Sequence, residues 1–323
     1  MTNHRALLYR LAFIVPLMLA TSCQRSTPTE AVSTIPVSSA TATLAAATLS
    51  APVSTPTTVT EPTAIPVETT VRESDGMTMA HIPAGPFIMG SDDGEADEAP
   101  MHEVYLDSFW MDVTEITNEM YGLCVEEGSC KLPRQTGSYT QASYFGDPKF
   151  AEYPVVYVDW SMANAYCQWA GAHLPSEAQW EKAASGGDDR LFPWGDDWDV
   201  DQHKRLNFAD GKNPETTSDV TLNDGFRENA PVGSFSAGKS PYGIYDLAGN
   251  VWEWVADWYD PAYYSSSPTN NPQGPAGPTS EITMRALRGG SWVAANEIVF
   301  HTSNRNGVDP TRSSESLGFR CAQ

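Results

Sequence analysis

The sequence predicts a mixed α and β domain dominated by loops, spanning roughly Met77 to Gln323 of a 323-residue chain. Two observations carry that reading. From Met77 onward, short apolar runs are broken by Gly, Pro and Asp, the texture of brief strands joined by turns, and aromatic residues are spread throughout. Within the same stretch only a few segments combine a capping residue with helical spacing of apolar side chains. A chain of this length could hold one large domain or two ordinary ones, and the uniform texture of its C-terminal part favours one.

Taken in order, Phe87-Ile88-Met89-Gly90 and the run Val104 to Trp110 read as strands, the first followed by an acidic turn through Asp92, Asp93 and Glu95. Three helices follow. Thr117 can cap one that runs through Tyr121 and Leu123 and stops near Gly128, and Ser161 can cap one that runs through Tyr166 and Trp169 and stops at Gly171. The third has the clearest start: Ser176-Glu177-Ala178-Gln179 is a capping box just after Pro175, and Trp180, Ala183 and Ala184 form its packing face. Beyond Gly186 the chain is loop-rich until strands return around Ala286-Leu287-Arg288 and Gly318-Phe319-Arg320. Long irregular segments of this kind are stapled by disulfides or bound cations, or serve function directly.

The first 22 residues have the anatomy of a signal peptide. Arg5 and Arg10 precede an apolar run from Leu11 to Leu19 that is too short to span a bilayer easily. It leads into Ala20-Thr21-Ser22-Cys23, which resembles the lipobox of bacterial lipoproteins, although the position that usually holds Leu is Ala20. Acylation of Cys23 would make the chain a lipid-anchored, extracytoplasmic membrane protein; an ordinary secretory signal cut nearby is the alternative. Residues 23–72 are rich in Ser, Thr, Pro, Ala and Val and too poor in large apolar groups to offset their ordering entropy, so they read as a stalk. In an oxidising compartment Cys124, Cys130, Cys167 and Cys321 can pair in three ways. A bridge between Cys124 and Cys130 across the Gly128 turn is the simplest, and it would leave Cys167 for Cys321.

Composition excludes more than it assigns. With 19 basic residues against 41 acidic ones, a formal charge of -22 and no basic cluster in the body, nucleic acid is not an expected partner. No phosphate loop, dinucleotide fingerprint, His-Glu-x-x-His helix or nucleophile elbow is present. The six histidines are scattered singly, which gives no support to a histidine-bound iron.

A series of ordered fragments is more specific. It includes Ile82 to Ser91, Glu115-Ile116-Thr117-Asn118, Leu174 to Glu181, Phe192-Pro193-Trp194-Gly195, Tyr242 to Trp254, Arg288-Gly289-Gly290-Ser291-Trp292 and Gly318-Phe319-Arg320-Cys321. In this order they closely resemble the formylglycine-generating enzyme family, also called sulfatase-modifying factor domains, over essentially all of 77–323. The resemblance implies an irregular α+β fold related to C-type lectins, loop-rich with short strands and a few helices. It also implies a disulfide between Cys167 and Cys321.

The founding enzymes of that family oxidise a sulfatase cysteine to formylglycine with two copper-binding cysteines downstream of the Gly-Gly-Ser segment. Cu(I) requires soft thiolates, but the corresponding positions here are Ala294 and Val299, so copper is not an expected cofactor. Calcium is. It takes carboxylate, amide and carbonyl oxygens, and the resemblance implies two sites. One uses Asn207, the carbonyl of Phe208, Asp224 and the carbonyl of Phe226; the other uses Asp246, the carbonyls of Gly249 and Val251, and Glu253. The segment from Trp292 to Ser316 replaces the active-site groove of the enzymes. There Ser291, Trp292, Asn296, His301, Asn304, Arg305 and Arg312, with Asn306 and Asp309, are expected to form a face for a protein, peptide or glycan ligand. The expected function is therefore a calcium-stabilised binding or accessory module. The alternative is an oxidoreductase making formylglycine, or another modification chemistry of the family.

Overall fold

The computed structural model describes residues 67–198, 201–211, 222–278 and 281–323. The signal-like run of residues 1–22, Cys23 and the stalk as far as residue 66 lie outside the described residues.

The fold begins earlier than the change of texture at Met77. Residues Thr69–Val71 form strand β1, paired antiparallel with β2 (Thr78–Ile82). Just after β1, Arg72 is buried and pairs with Asp75 and with Asp112, at 2.7 Å each. The Tyr166 hydroxyl donates to Asp75 at 2.7 Å. These polar residues conceal the start of the domain in the sequence, because each is charged or hydroxylated and becomes internal only through the others.

The run Val104 to Trp110, read above as one strand, is two. Strand β3 (Gly85–Met89) pairs with β4 (His102–Leu106), whereas β5 (Phe109–Asp112) pairs with β2 in a separate sheet ordered β1-β2-β5. The break falls at Asp107-Ser108, where the Asn271 side chain accepts the Asp107 amide and donates to its carboxylate. A remote side chain thus takes hydrogen bonds that a continuous strand would need for its ladder.

The three predicted helices are present: α1 (Asn118–Glu126), α2 (Trp160–Trp169) and α3 (Glu177–Ser185). Thr117 caps α1, and α3 has the full capping box of Ser176 and Gln179, with Gly186 in the left-handed conformation at its end. The cap of α2 is Asp159 and not Ser161. The Asp159 carboxylate accepts the Met162 amide at 3.0 Å and the Ser161 hydroxyl at 2.7 Å, since a charged acceptor at a helix start is the stronger one.

The largest sheet is ordered β8-β7-β6-β9, from β6 (Trp252–Trp258), β7 (Arg285–Arg288), β8 (Arg305–Val308) and β9 (Leu317–Phe319). Strands β6 and β9 run parallel, with Glu253 opposite Gly318. One side of the core packs α1 and α2 against this sheet through Tyr121, Tyr166, Trp254 and Phe319. The other packs the Trp180 face of α3 on the strands of the N-terminal half. Two disulfides are present, Cys124 to Cys130 and Cys167 to Cys321. The second joins α2 to the residues just after β9. Arg285 lies between the rings of Trp160 and Trp258, 3.8 and 3.7 Å from their centroids, and so ties β7 to the start of α2. Among the described residues no helix is long and apolar enough to cross a membrane.

Candidate functional site

The loop that follows Leu206 brings the first expected calcium set together. Asn207 is buried, and its amide nitrogen donates to Asp224 at 2.8 Å and to the Glu228 carbonyl at 3.2 Å. Asp224 also accepts the amides of Phe208 and Phe226, at 3.1 and 2.8 Å. Its own amide donates to the carboxylate of Asp210, a fully buried acid absent from the expected set. Burial, with the charge of Asp210, pushes the Asp224 carboxyl up to about 6. The Asn207 side-chain oxygen is buried without a partner among the described residues. A buried amide oxygen without a partner, near a carboxyl crowded by a second acid, is the kind of oxygen that a hard cation satisfies, so these side chains are of the type that calcium takes.

The second set falls in one tight loop that runs into β6. Asp246 and Asn250 have φ of 57° and 59°, and Gly249 has φ of 83°, so the chain curls tightly. A Cβ at Gly249 would stand 2.2 Å from the Asn207 carbonyl oxygen, which requires glycine and joins the two loops. Asp246 accepts the Gly233 amide at 2.6 Å. Glu253, the last residue of this set, accepts from Arg320, at 2.8 and 2.7 Å, and from the Trp180 indole at 2.8 Å. The carboxyl that stands beside Asp246 is Glu115, which was not expected. Glu115 also accepts the Asn250 amide at 3.0 Å, and its second oxygen has no partner among the described residues. Burial, with the charges of Asp246 and Glu253, holds Glu115 well above the usual carboxylate range, and burial also raises Asp246. Three buried carboxyls therefore face one guanidinium, that of Arg320.

The Gly-Gly-Ser segment lies against this loop. The Gly249 amide donates to the Gly289 carbonyl, and the Trp292 amide to the Asn250 carbonyl. Gly290 has φ of 74°, and a Cβ there would meet the Phe300 ring at 2.8 Å and Val299 at 3.0 Å. Val299 thus stands against Gly290. Ala294 packs on the apolar cluster of Phe192, Leu206, Phe208, Ala248 and Phe300.

The expected ligand face divides into an inside and an outside. Ser291, Trp292, Asn304 and Arg305 are buried. Arg305 makes a bidentate pair with Glu177 at 2.8 and 2.6 Å, and burial is outweighed by the charges of Arg305 and Arg288 in keeping Glu177 below its usual value. Asn304 and Ser303 hold the carboxylate of Glu98, at 3.1 and 2.8 Å. These are scaffold contacts, and a sequence in which polar residues alternate with small ones does not distinguish them from a face. Asn296 is exposed and caps the 3-10 turn Glu297–Phe300; His301 is half-buried against Phe192, 5.0 Å between ring centroids. Asn306, Asp309 and Arg312 are exposed. They border a groove of about 450 Å³ beside β8, with Trp252 and Leu287 among its lining residues.

Comparison with known proteins decides the family. The sulfatase-modifying factor enzyme 1-like domain matches residues 66–323. The chain belongs to the sulfatase-modifying factor family. Formylglycine-generating enzyme of Bos taurus is 33% identical over 301 residues, covering 78% of this chain and 76% of that one. Inactive C-alpha-formylglycine-generating enzyme 2 of Mus musculus is 32% identical over 286 residues, covering 76% and 85%. The structure of PvdO from Pseudomonas aeruginosa superposes with a TM-score of 0.64 at 25% identity, covering 79% of this chain and 97% of that one. The α+β, C-type-lectin-like architecture expected from the fragments is the architecture of this family.

In this sulfatase-modifying factor domain Ala294 and Val299, the positions that the resemblance matches to the copper-binding cysteines, carry a methyl and an isopropyl group, and Cys124, Cys130, Cys167 and Cys321 are all in disulfides. The described residues do not fit a Cu(I) centre. The residues that the sequence reading missed, Glu115 and Arg320, stood inside the quoted fragments. Their signal was a charge flanked by core-type residues, as in Phe319-Arg320-Cys321, since a buried charge requires a partner.

Proposed function

We propose that this chain is a non-oxidising sulfatase-modifying factor protein that acts by binding, held outside the cytoplasm by a lipid on Cys23. The observation that supports the reading is the pair Ala294 and Val299, two apolar side chains at the positions where the family resemblance puts the copper-binding cysteines. Likeness to a relative named as inactive supports it. The ligand is a protein, peptide or glycan, taken at the groove beside β8 by Asn306, Asp309 and Arg312 with Trp252 as the aromatic contact. Copper loading of the purified chain, followed by mass spectrometry of a peptide with a sulfatase-type Cys-x-Pro-x-Arg motif, is expected to give neither bound copper nor formylglycine. Formylglycine in that peptide sinks the proposal in favour of an oxidase. Once a ligand is found on peptide or glycan arrays, Arg312→Glu is expected to weaken it by about tenfold or more, which corresponds to ~1.4 kcal/mol. An unchanged affinity would place the ligand elsewhere.

Calcium stabilises the scaffold in the same proposal. Asn207 and Asp224 with the carbonyls of Phe208 and Phe226 would hold one ion, and its charge would relieve the crowding of Asp224 and Asp210. Removing calcium with a chelator is expected to lower Tm, and Asp224→Ala is expected to lower it equally and to abolish the response to calcium. At a calcium concentration about 100 times Kd the stabilisation is ~2.7 kcal/mol. A Tm indifferent to the chelator removes the ion from the account.

A further inference from the structure

The outer side of α1 forms a groove of about 490 Å³ with the segments around Leu132 and Phe145 to Ala151. Its floor and walls are apolar: Val125 and Phe145 reach down to the core, while Leu123 and Leu132 remain 39% and 58% exposed. Glu119, Glu126 and Asp147 stand along it, and no Lys, Arg or His lines it. Lys149, the nearest cation in sequence to Asp147, lies over the Phe150 ring.

Gly122 sits in the middle of α1, on the groove. Glycine disfavours a helix interior relative to alanine, and is normally retained there for a turn or for close packing. Neither applies. A Cβ at Gly122 would meet nothing within 4 Å, and its φ is not positive. The missing side chain leaves space that none of the described residues occupies. The walls are also stiff: the Cys124 to Cys130 disulfide closes the turn after α1, and the Tyr121 hydroxyl donates to the Lys131 carbonyl at 3.0 Å next to Leu132. A preformed apolar groove loses little entropy when it is filled.

We infer that this groove is a second docking site, for a basic amphipathic segment of a partner protein. A large apolar side chain enters over Gly122, and flanking Lys or Arg residues pair with Glu119, Glu126 and Asp147. The choice of a cationic occupant rests on charge complementarity: the groove presents three carboxylates on a chain of formal charge -22. The site is separate in its residues from the groove beside β8, so the two proposals stand or fall independently.

The test uses the full chain and a fluorescent amphipathic peptide of Lys and Leu, with its Glu and Leu counterpart as control. Binding of the basic peptide alone is expected, weakening as salt rises. Gly122→Leu fills the groove from within and favours the helix, so it is expected to reduce affinity by about tenfold or more while Tm holds or rises. Should that variant misfold, the double variant Leu123→Ser and Leu132→Ser, at exposed positions, makes the same demand. Undiminished binding to folded Gly122→Leu would show general attraction to an acidic protein and overturn the inference. Equal binding of the Glu and Leu peptide does the same, as does a self-association of the chain that Gly122→Leu abolishes, since the occupant is then a second copy.

Discussion

Arg320→Met is expected to cost about 3–5 kcal/mol of folding stability, the range for removing one partner of a buried ion pair. The guanidinium has no exposure and donates to both oxygens of Glu253, at 2.8 and 2.7 Å, and to the carbonyls of Asp112 and Tyr245. Without it Glu253, Glu115 and Asp246 become a cluster of buried carboxyls with no cation beside them. Methionine preserves most of the volume, so the loss reports charge and hydrogen bonding more than a cavity. Adding Glu253→Gln should recover part of it, because that removes one of the stranded charges. The check is urea unfolding of the unsubstituted chain and the two variants at constant m value. A loss below about 1 kcal/mol, the size of an exposed pair, would mean that the carboxyls do not depend on Arg320.

The second large effect separates the two disulfides. Cys167 and Cys321 are 154 residues apart, Cys124 and Cys130 only 6. Loop-closure entropy then assigns about 5 kcal/mol to the long bridge and about 2 kcal/mol to the short one. Native contacts around the long bridge do not depend on its sulfur atoms. Asp112 and Cys321 exchange hydrogen bonds through the Asp112 amide and carboxylate, and His173 and Ala322 exchange two backbone bonds. The bridge therefore acts chiefly on the unfolded chain. Removing each pair as a double alanine variant, which leaves no free thiol, and comparing stability in urea tests the order. Equal losses would contradict the entropic account.

Much of the fold was legible in order along the chain. The three helices announced themselves by turn glycines, α1 also by its cap Thr117 and α3 by a capping box, because these signals are local and depend on side chains within one turn. Strand β6 did not announce itself. Trp252-Glu253-Trp254-Val255-Ala256-Asp257-Trp258 places two acids inside a buried strand, so the alternation that marks a strand is masked by charges that tertiary partners neutralise. The boundary at Arg72 was hidden for the same reason.

The candidate site divides along the same line. By itself the sequence determined the family, through fragments long enough to be specific. It also determined the absence of thiolates at Ala294 and Val299, and the oxygen-rich character of the Asn207 and Asp246 loops. Only the tertiary structure decided which polar residues face inward. It committed Glu253 to Arg320 and Arg305 to Glu177, placed Glu115 beside Asp246, and left Asn306, Asp309 and Arg312 outside. The physical reason is that residue identity sets what a side chain can bind, while the choice among partners is made by burial, and burial is a property of segments far apart in the chain that only folding brings together.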